Sequence, residues 1–531
     1  MVLTICKFCG SVCKFPGFFV PKHDKALVIV CVHFYIFAAS EKTDRIPMKK
    51  LTDLQPQPLF SYFEQICQVP RPSKKEEKIR KFLLDFAEEN NLESKTDEVG
   101  NVLISKPASK GMENAPKVIL QTHMDMVCEK NSDKIFDFDK DAIEPLIDGN
   151  WVKANGTTLG ADCGIGIAAQ LAVLTSTEIK HGPIECLITV DEETGLTGAF
   201  ALQPSFLTGS VLLNLDSEDE GEMFIGCAGG IDTLATFSFE KTPVPAGSAA
   251  LQISVSGLLG GHSGDDIHKN RGNANKILNR IIIELSKEIP LRLADFNGGN
   301  LRNAIAREAN AVITVPSGKK ELTTAEFNIF TAALQTEFER NEPGLKLKIG
   351  TAAMPEFVIA EAAQQQLIHA LNACPHGVLE MSSRMEGMVE TSTNLASVKF
   401  IADNKIVVTT SQRSELETRK LMAASMVESV FMLAGASVEH SDGYPGWAPN
   451  PDSEVLKTVV ASYENLFGVK PVVRSIHAGL ECGLFLEKYP KLDMVSFGPT
   501  IKGAHSPDER LDIGTTQKFW KHLVDVLESL K

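Results

Sequence analysis

His123 and Asp125, two residues apart at the end of the apolar run VIL (118–120), are the first residues whose types and spacing could do chemistry. An imidazole at a strand end can ligate a metal, and a nearby carboxylate can fix its tautomer through the other ring nitrogen. Alone, the pair is weak evidence and reads better as a hydrogen-bonded loop histidine. Four further positions change the reading. Asp162 lies in the glycine-rich loop GTTLGADCG (156–164), and Asp191-Glu192-Glu193 leaves an apolar run at 186–190. Asp216 ends another run at 211–215, and His505 follows a strand-and-turn segment at 494–499. Such a mixed nitrogen and oxygen set suits zinc, with manganese or cobalt as alternatives. Three carboxylates and two imidazoles exceed what one four-coordinate ion with an open position needs. They suit two divalent ions that share a bridging carboxylate, with water between them.

Each element has a plainer reading. Asp162 at a helix start is also an ordinary N-cap. The glycine loop could cradle a phosphate, but it lacks the Lys-Ser/Thr of a P-loop and the spacing of a dinucleotide fingerprint. Three adjacent acids at 191–193 repel one another, which favours a nearby cation. It is the joint occurrence at strand ends that argues for a metal centre.

The elements that must position these residues follow from hydrophobic periodicity. Strands are expected at 101–105, 118–121, 185–190 and 211–215, with an apolar, small-residue helix at 164–175. Ser73-Lys74-Lys75-Glu76 has the form of a capping box ahead of a helix bearing Ile79, Phe82, Leu83 and Phe86. Alternating strands and helices argue for an α/β sheet that is at least partly parallel, with chemistry at its carboxyl edge. After Gly229-Gly230 the texture changes. Strand-like runs at 251–257, 309–315, 345–350, 398–402 and 405–410 alternate polar and apolar, and helices fall at 273–287, 324–340, 361–372 and 416–434. That pattern suits an antiparallel sheet with helices on one side, an α+β insertion. From YPGW (444–447) the chain returns to helix 453–467, strands 472–476 and 493–497, and a closing helix 515–530, which complete the first sheet. The expected organisation is a catalytic α/β domain (48–228 and 442–531) interrupted by an α+β lid (229–441).

At 531 residues, roughly two or three domains are expected. Hydrophobic content of 43% supplies ample core, and a net charge of −15 without a basic, aromatic-interleaved stripe argues against nucleic-acid binding. The 11 cysteines show no disulfide framework, which makes a reducing, cytoplasmic setting the expectation. Residues 1–47 read unlike the rest. Their apolar run at 26–39 is too short to span a bilayer and too far from Met1 for a signal peptide, so no membrane partner is expected. Met48 reads as the natural start, with 1–47 outside the fold.

Ten motifs, in order from about Met48 to the end, resemble one family: QTHMDM, GTTLGADCGIG, DEETG, NLDSEDEGE, GCAGGID, GGHSG, NGGNLRNAIARE, YPGW, HAGLECGLF and GPTIKGAHSPDE. The sequence resembles the co-catalytic dizinc peptidases that include aminoacylases, glutamate carboxypeptidases and succinyl-diaminopimelate desuccinylases. Within them it is similar to the aminoacyl-histidine (Xaa-His) dipeptidase branch. The resemblance implies a metallopeptidase that cleaves unblocked dipeptides, commonly as a homodimer. It implies that His123 and Asp216 hold one ion, Glu193 and His505 the other, and that Asp162 bridges them. Asp125 would orient His123, and Glu192 would be the general base. It further implies that His262 stabilises the oxyanion and that Asn303 and Arg413 contact the substrate carboxylate. Arg413 is independently apt, because a guanidinium pairs bidentately with a free C-terminus. His477 and Glu481 are candidates for the pocket, Glu481 for the free amino group. Two departures stand out: Cys163 replaces an asparagine usual after the bridging aspartate, and Ala306 replaces a proline usual after Asn-x-Ile. The alternatives are deacylation of N-acyl amino acids on the same scaffold, or metal-dependent peptide binding without turnover. A requirement for a free α-amine separates the first, and the retained Glu192 weighs against the second. A cysteine amidase would need Cys163 as its thiol.

Overall fold

Four apolar strands that lie far apart in sequence run side by side and in the same direction at the centre of the molecule. The computed structural model describes residues 50–531. Residues 1–49, and with them the expectation about 1–47, lie outside the described residues. An eight-stranded sheet has the order Glu93–Thr96, Val102–Lys106, Ile184–Thr189, Val118–His123, Val211–Asn214, Asp493–Ser496, Glu222–Cys227, Val472–Ile476. Ile184–Thr189, Val118–His123, Val211–Asn214 and Asp493–Ser496 are mutually parallel. His123 therefore stands opposite Thr189, and Gln121 opposite Asn214. The first three of these strands are buried along their whole length, which explains why they read as unbroken apolar runs.

Helix Ala161–Thr175 is buried on nearly every side, as its small apolar residues require, and shares one core with Phe60, Phe63 and Ile66 of helix Gln57–Cys67. The closing helix Ile513–Ser529 adds Phe519, Leu523 and Val526 to that core. The C-terminal segment thus completes the first sheet, inserting Asp493–Ser496 between Val211–Asn214 and Glu222–Cys227.

Between Gly229 and His440 the chain builds a second, antiparallel sheet of nine strands. Gly229–Ser238 alternates buried and exposed positions, as expected of a sheet wet on one face. Helices Ala274–Ser286, Glu361–Ala373 and Glu417–Leu433 supply Ile281, Leu367 and Phe431 to its core. Its strand Val389–Ile401 starts well before the expected 398, because the first half is polar but buried. Thr391, Ser392 and Gln412 are paired across the sheet or with neighbouring side chains, so the burial is satisfied.

The capping box is not formed. The helix begins at Glu77 without a side-chain cap. Ser73 Oγ donates instead to Asp125 Oδ2 at 2.8 Å, and Glu76 Oε1 accepts from Lys74 N and Asp191 N. No helix among the described residues is long and apolar enough to cross a membrane.

Candidate metal centre and cleft

The parallel strands deliver their chemistry at one edge. His123 is the last residue of its strand, Asp191–Glu193 follow Ile184–Thr189, and Asp216 lies two residues beyond Asn214. His505 sits at the tip of a short hairpin whose strands, Ile501–Lys502 and Arg510–Asp512, pair with each other, the second also pairing with Trp151–Ala154. Asp162 opens the buried helix Ala161–Thr175.

Distances divide these residues into two sets. His123 Nε2 is 3.1 Å from Asp162 Oδ1 and 3.3 Å from Asp216 Oδ1. His505 Nε2 is 3.1 Å from Asp162 Oδ2 and 3.1 Å from Glu193 Oε2. Each oxygen of Asp162 thus faces a different imidazole. Glu193 Oε1 and Asp216 Oδ1 are buried with no aligned hydrogen-bond partner among the described residues. Donor atoms about 2.0–2.2 Å from a tetrahedral zinc stand roughly 3.3–3.6 Å apart, close to these separations. The residues present fit a pair of divalent cations.

The electrostatics agree. Burial alone would depress His123, but Asp216, with hydrogen bonding to Asp125 and Asp162, raises it well above the usual imidazole range. Hydrogen bonding to Asp162 and Glu193 pushes His505 up to about 11. Burial opposes ionisation of Asp162, yet the two imidazoles hold it well below the usual carboxylate range. Burial raises Asp216 to about 6 and Glu218 to about 8, with the charge of Asp162 adding to both. Protons on the imidazoles offset clustered negative charge, and metal ions would displace those protons.

Asp125 is the hub beneath the centre. Its Oδ1 lies 3.3 Å from His123 Nδ1 and accepts Glu192 N at 3.0 Å, while Oδ2 accepts Glu193 N at 3.2 Å. Asp191 accepts the hydroxyls of Thr194 and Thr197. Glu76, Asp125 and Asp191 form a third acidic cluster, but backbone amides and hydroxyls already satisfy it. Glu192 is raised well above its usual value by burial, and then by Asp216, Glu481 and Glu193. Its carboxyl lies within 4.8 Å of His123 and Glu193 ligand atoms.

Cys163 also lies within 4.8 Å of His123 and Asp216 ligand atoms. Its thiol donates to Leu215 O at 3.4 Å, and burial, with Asp216 next, keeps its pKa well above the usual value. The thiol hydrogen bond to Leu215 O packs this side chain against the strand end that leads to Asp216. The glycine loop holds no phosphate cradle: the backbone amides of Leu159, Gly160 and Ala161 already donate to Glu509.

A cleft of about 290 Å³ over the centre is lined by Asp162, Glu192, Glu193, Glu218, His505 and, from the inserted segment, Asp265. Arg413 and Asn303 line a separate cavity of about 520 Å³ that also touches Thr194, the neighbour of Glu193. Arg413 Nη1 donates to Tyr444 Oη at 2.9 Å. His262 lies beside this region: its Nδ1 is 3.3 Å from Gly264 N, and Ser263 N donates to Asn303 O at 2.8 Å. His477 is buried, with Nε2 2.8 Å from Ser392 Oγ. Burial, then Arg413, lowers it to about 3. Ala306 lies in a hydrogen-bonded loop: Ala306 O accepts Ala274 N at 2.8 Å and Ile305 N donates to Gly261 O at 2.9 Å.

Glu481, a candidate for the pocket, is buried. It is 1% exposed and does not line the cleft. Its Oε2 accepts Gln121 Nε2 at 2.6 Å and Thr189 Oγ1 at 2.8 Å, while Oε1 is buried with no hydrogen-bond partner among the described residues. The sequence singles out none of Glu218, Asp265, Arg71 or Glu509 as a site residue, and it gives Ser73 only a capping role. Glu509 stands inside a recognised motif, but nothing local says that its carboxylate turns to a backbone 350 residues earlier.

The profile of peptidase family M20/M25/M40 matches residues 119–529. The cytosol non-specific dipeptidase of Escherichia coli (strain K12) is 45% identical over 483 residues, covering 91% of this chain and 99% of that protein. The crystal structure of aminoacylhistidine dipeptidase from Vibrio alginolyticus is 48% identical, with a TM-score of 0.84 over 91% of this chain and 98% of that one. Aminopeptidase PepT from Bacillus cereus ATCC 10987, at 17% identity and a TM-score of 0.52 over 89% and 98% of the two chains, shares the fold. With its strand-end donors in place and a profile match across most of its length, this chain belongs to peptidase family M20/M25/M40.

Proposed function

We propose that this chain is a metal-dependent dipeptidase that hydrolyses unblocked dipeptides, Xaa-His among them, using two divalent ions, zinc foremost. The observation that carries this reading is Asp162, whose two oxygens each lie 3.1 Å from a different imidazole. Two relatives named for dipeptide hydrolysis, each aligned over almost its whole length, support the substrate class.

His123, Asp162 and Asp216 would hold one ion, and His505, Glu193 and the other oxygen of Asp162 the second. When bound, the pair supplies a polarised scissile carbonyl and water acidic enough to attack near neutral pH. Asp125 takes the Nδ1 proton of His123 as a hydrogen bond, which leaves Nε2 as the ligating nitrogen. Glu192, tethered by its backbone to Asp125, accepts the proton of the attacking water and passes it to the leaving amine. His262 Nδ1 accepts amide hydrogens from Gly264 and Asp265, so its proton sits on Nε2. Burial and then Arg413 lower its pKa and keep it neutral, a donor ready for the developing oxyanion. Arg413 and Asn303 receive the substrate carboxylate, and His477 backs the His262 loop. The segment 229–441 acts as a lid. It is also the face for a homodimer, where Leu421, Met432 and Leu433 of helix Glu417–Leu433 are exposed. Seven free cysteines among the described residues suit a reducing cytoplasm.

The test is hydrolysis of a small dipeptide panel, with N-acetylated counterparts, before and after chelation and zinc add-back. Activity should vanish on chelation, return with zinc, and be confined to free amines. Chelator-resistant activity, or preference for the acetylated forms, would overturn the reading.

A further inference from the structure

Two buried charged residues grip the loop that carries Asp162, one from each side. Glu509 is 2% exposed, and its carboxylate takes three successive backbone amides: Oε2 accepts Leu159 N at 2.7 Å and Gly160 N at 2.9 Å, and Oε1 accepts Ala161 N at 2.7 Å. These amides open the helix that begins at Ala161, where the helix dipole favours an anion. Glu509 lies four residues after His505, and its own amide donates to Ser506 O, closing the turn at the tip of that hairpin. One carboxylate therefore ties the His505 turn to the Asp162 loop.

Arg71, 3% exposed, works from the other side. Its Nη1 donates to Met124 O at 3.1 Å and Asp125 O at 2.7 Å, and Nη2 donates to Gly160 O. The guanidinium thus ties the His123–Asp125 strand end to the same loop. Side-chain-free positions make room for it. A Cβ at Gly160, where φ is +67°, would stand 2.5 Å from Arg71 Nη2, and one at Gly164 would stand 2.7 Å away. Neither residue hydrogen-bonds to a proposed ligand side chain, yet their hydrogen bonds join the three segments that carry His123, Asp162 and His505.

We propose that Arg71 and Glu509 are a positioning pair that fixes the Asp162 carboxylate between the two imidazoles and thereby sets metal affinity. The inference rests on the two-ion reading above. A side chain only half-fixed at a bridging position would have to be ordered by the incoming ions, and that ordering would weaken binding. The pair removes this cost in advance by holding the loop in its bound arrangement.

Glu509→Gln keeps the size of the side chain but turns an NH2 group toward amides that also donate, so at least one amide loses its acceptor. Zinc affinity, measured by competition with a chromophoric chelator, should fall by about 10–100-fold, the usual cost of losing an outer support. The melting temperature of the metal-free protein should change by far less than that of the zinc-loaded protein. At limiting zinc kcat should drop, with recovery as zinc is raised. Arg71→Lys keeps the charge but cannot reach all three carbonyls, and it should weaken zinc in the same way if Glu509→Gln fails to fold. Wild-type zinc affinity in either folded variant would overturn the proposal and reduce the pair to a structural role. Wild-type protein that retains fewer than two equivalents would instead overturn the two-ion reading on which it stands.

Discussion

Glu192 and Glu193 are neighbours in sequence with opposite tasks, and Asp125 separates them. It accepts both backbone amides, so the two side chains leave one anchored turn. Glu193 Oε2 faces His505 at 3.1 Å, whereas Glu192 lies near His123 without being needed to complete either donor set. Glu192→Gln should therefore retain both ions while turnover falls by roughly two to four orders of magnitude, the usual worth of acid–base help. Metal analysis beside dipeptide turnover checks it, and near-normal turnover would place the base elsewhere. Asp162 makes the complementary case. Because each of its oxygens serves a different imidazole, Asp162→Ala should lose both ions, while Glu193→Ala should weaken mainly the one beside His505. Two equivalents of zinc retained by Asp162→Ala in elemental analysis would end the bridging role. The donor residues were legible in the sequence because acids and histidines at strand ends are conspicuous there. Arg71 and Glu509 were not, because they act on distant backbone amides and carbonyls, and backbone leaves no mark in side-chain pattern.

Among the elements, the strands that read most clearly are those buried on both faces, such as Val118–His123 and Ile184–Thr189. The sequence does not mark Glu93–Thr96, which is mostly exposed, the Thr- and Ser-rich first half of Val389–Ile401, or the interior strands Glu222–Cys227, Gly229–Ser238 and Arg292–Gly298, whose glycines and polar residues interrupt the apolar pattern. The misread capping box has the same origin, since a Ser hydroxyl serves a distant carboxylate as readily as a local amide. Helix pairing carries a measurable consequence. His522 of helix Ile513–Ser529 is buried against Tyr463 and Phe497, and its Nε2 lies 2.9 Å from Val459 O in helix Glu454–Phe467. Burial depresses it to about 4. The folded state thus resists the proton that the unfolded chain accepts near its ordinary value of about 6.5. The stabilisation is present above pH 6.5 and is lost as pH falls toward 4, up to about 3 kcal/mol. His522→Phe should flatten that part of the acid-stability profile of the metal-free protein. Denaturant titrations at about pH 4.5 and about pH 7, either side of most of that window, measure it. An unchanged pH slope would show that His522 is not the group responsible.

On the scale of the whole molecule, the inserted sheet must reach the cleft for the proposed chemistry to work. Several contacts bring it there. Asp265 lines the cleft over the metal centre, and a Cβ at Gly264 would collide with His477 O, so the His262 loop lies directly on the C-terminal segment. Arg413 is fixed by Tyr444 in a cavity that touches Thr194, beside Glu193. The two residues assigned to substrate should then fail differently. Arg413 meets a carboxylate present in both ground and transition states, so Arg413→Ala should chiefly raise KM. His262 meets charge that develops only as the tetrahedral intermediate forms, so His262→Ala should chiefly lower kcat, by about a hundredfold or more. Neither change should release metal, because neither side chain belongs to the two donor sets. Steady-state kinetics of both variants on one good dipeptide, with zinc content measured alongside, make the comparison. If His262→Ala left kcat untouched, the histidine would be a turn residue held by Gly264 and Asp265, and the inserted segment would cover the site without taking part in the chemistry.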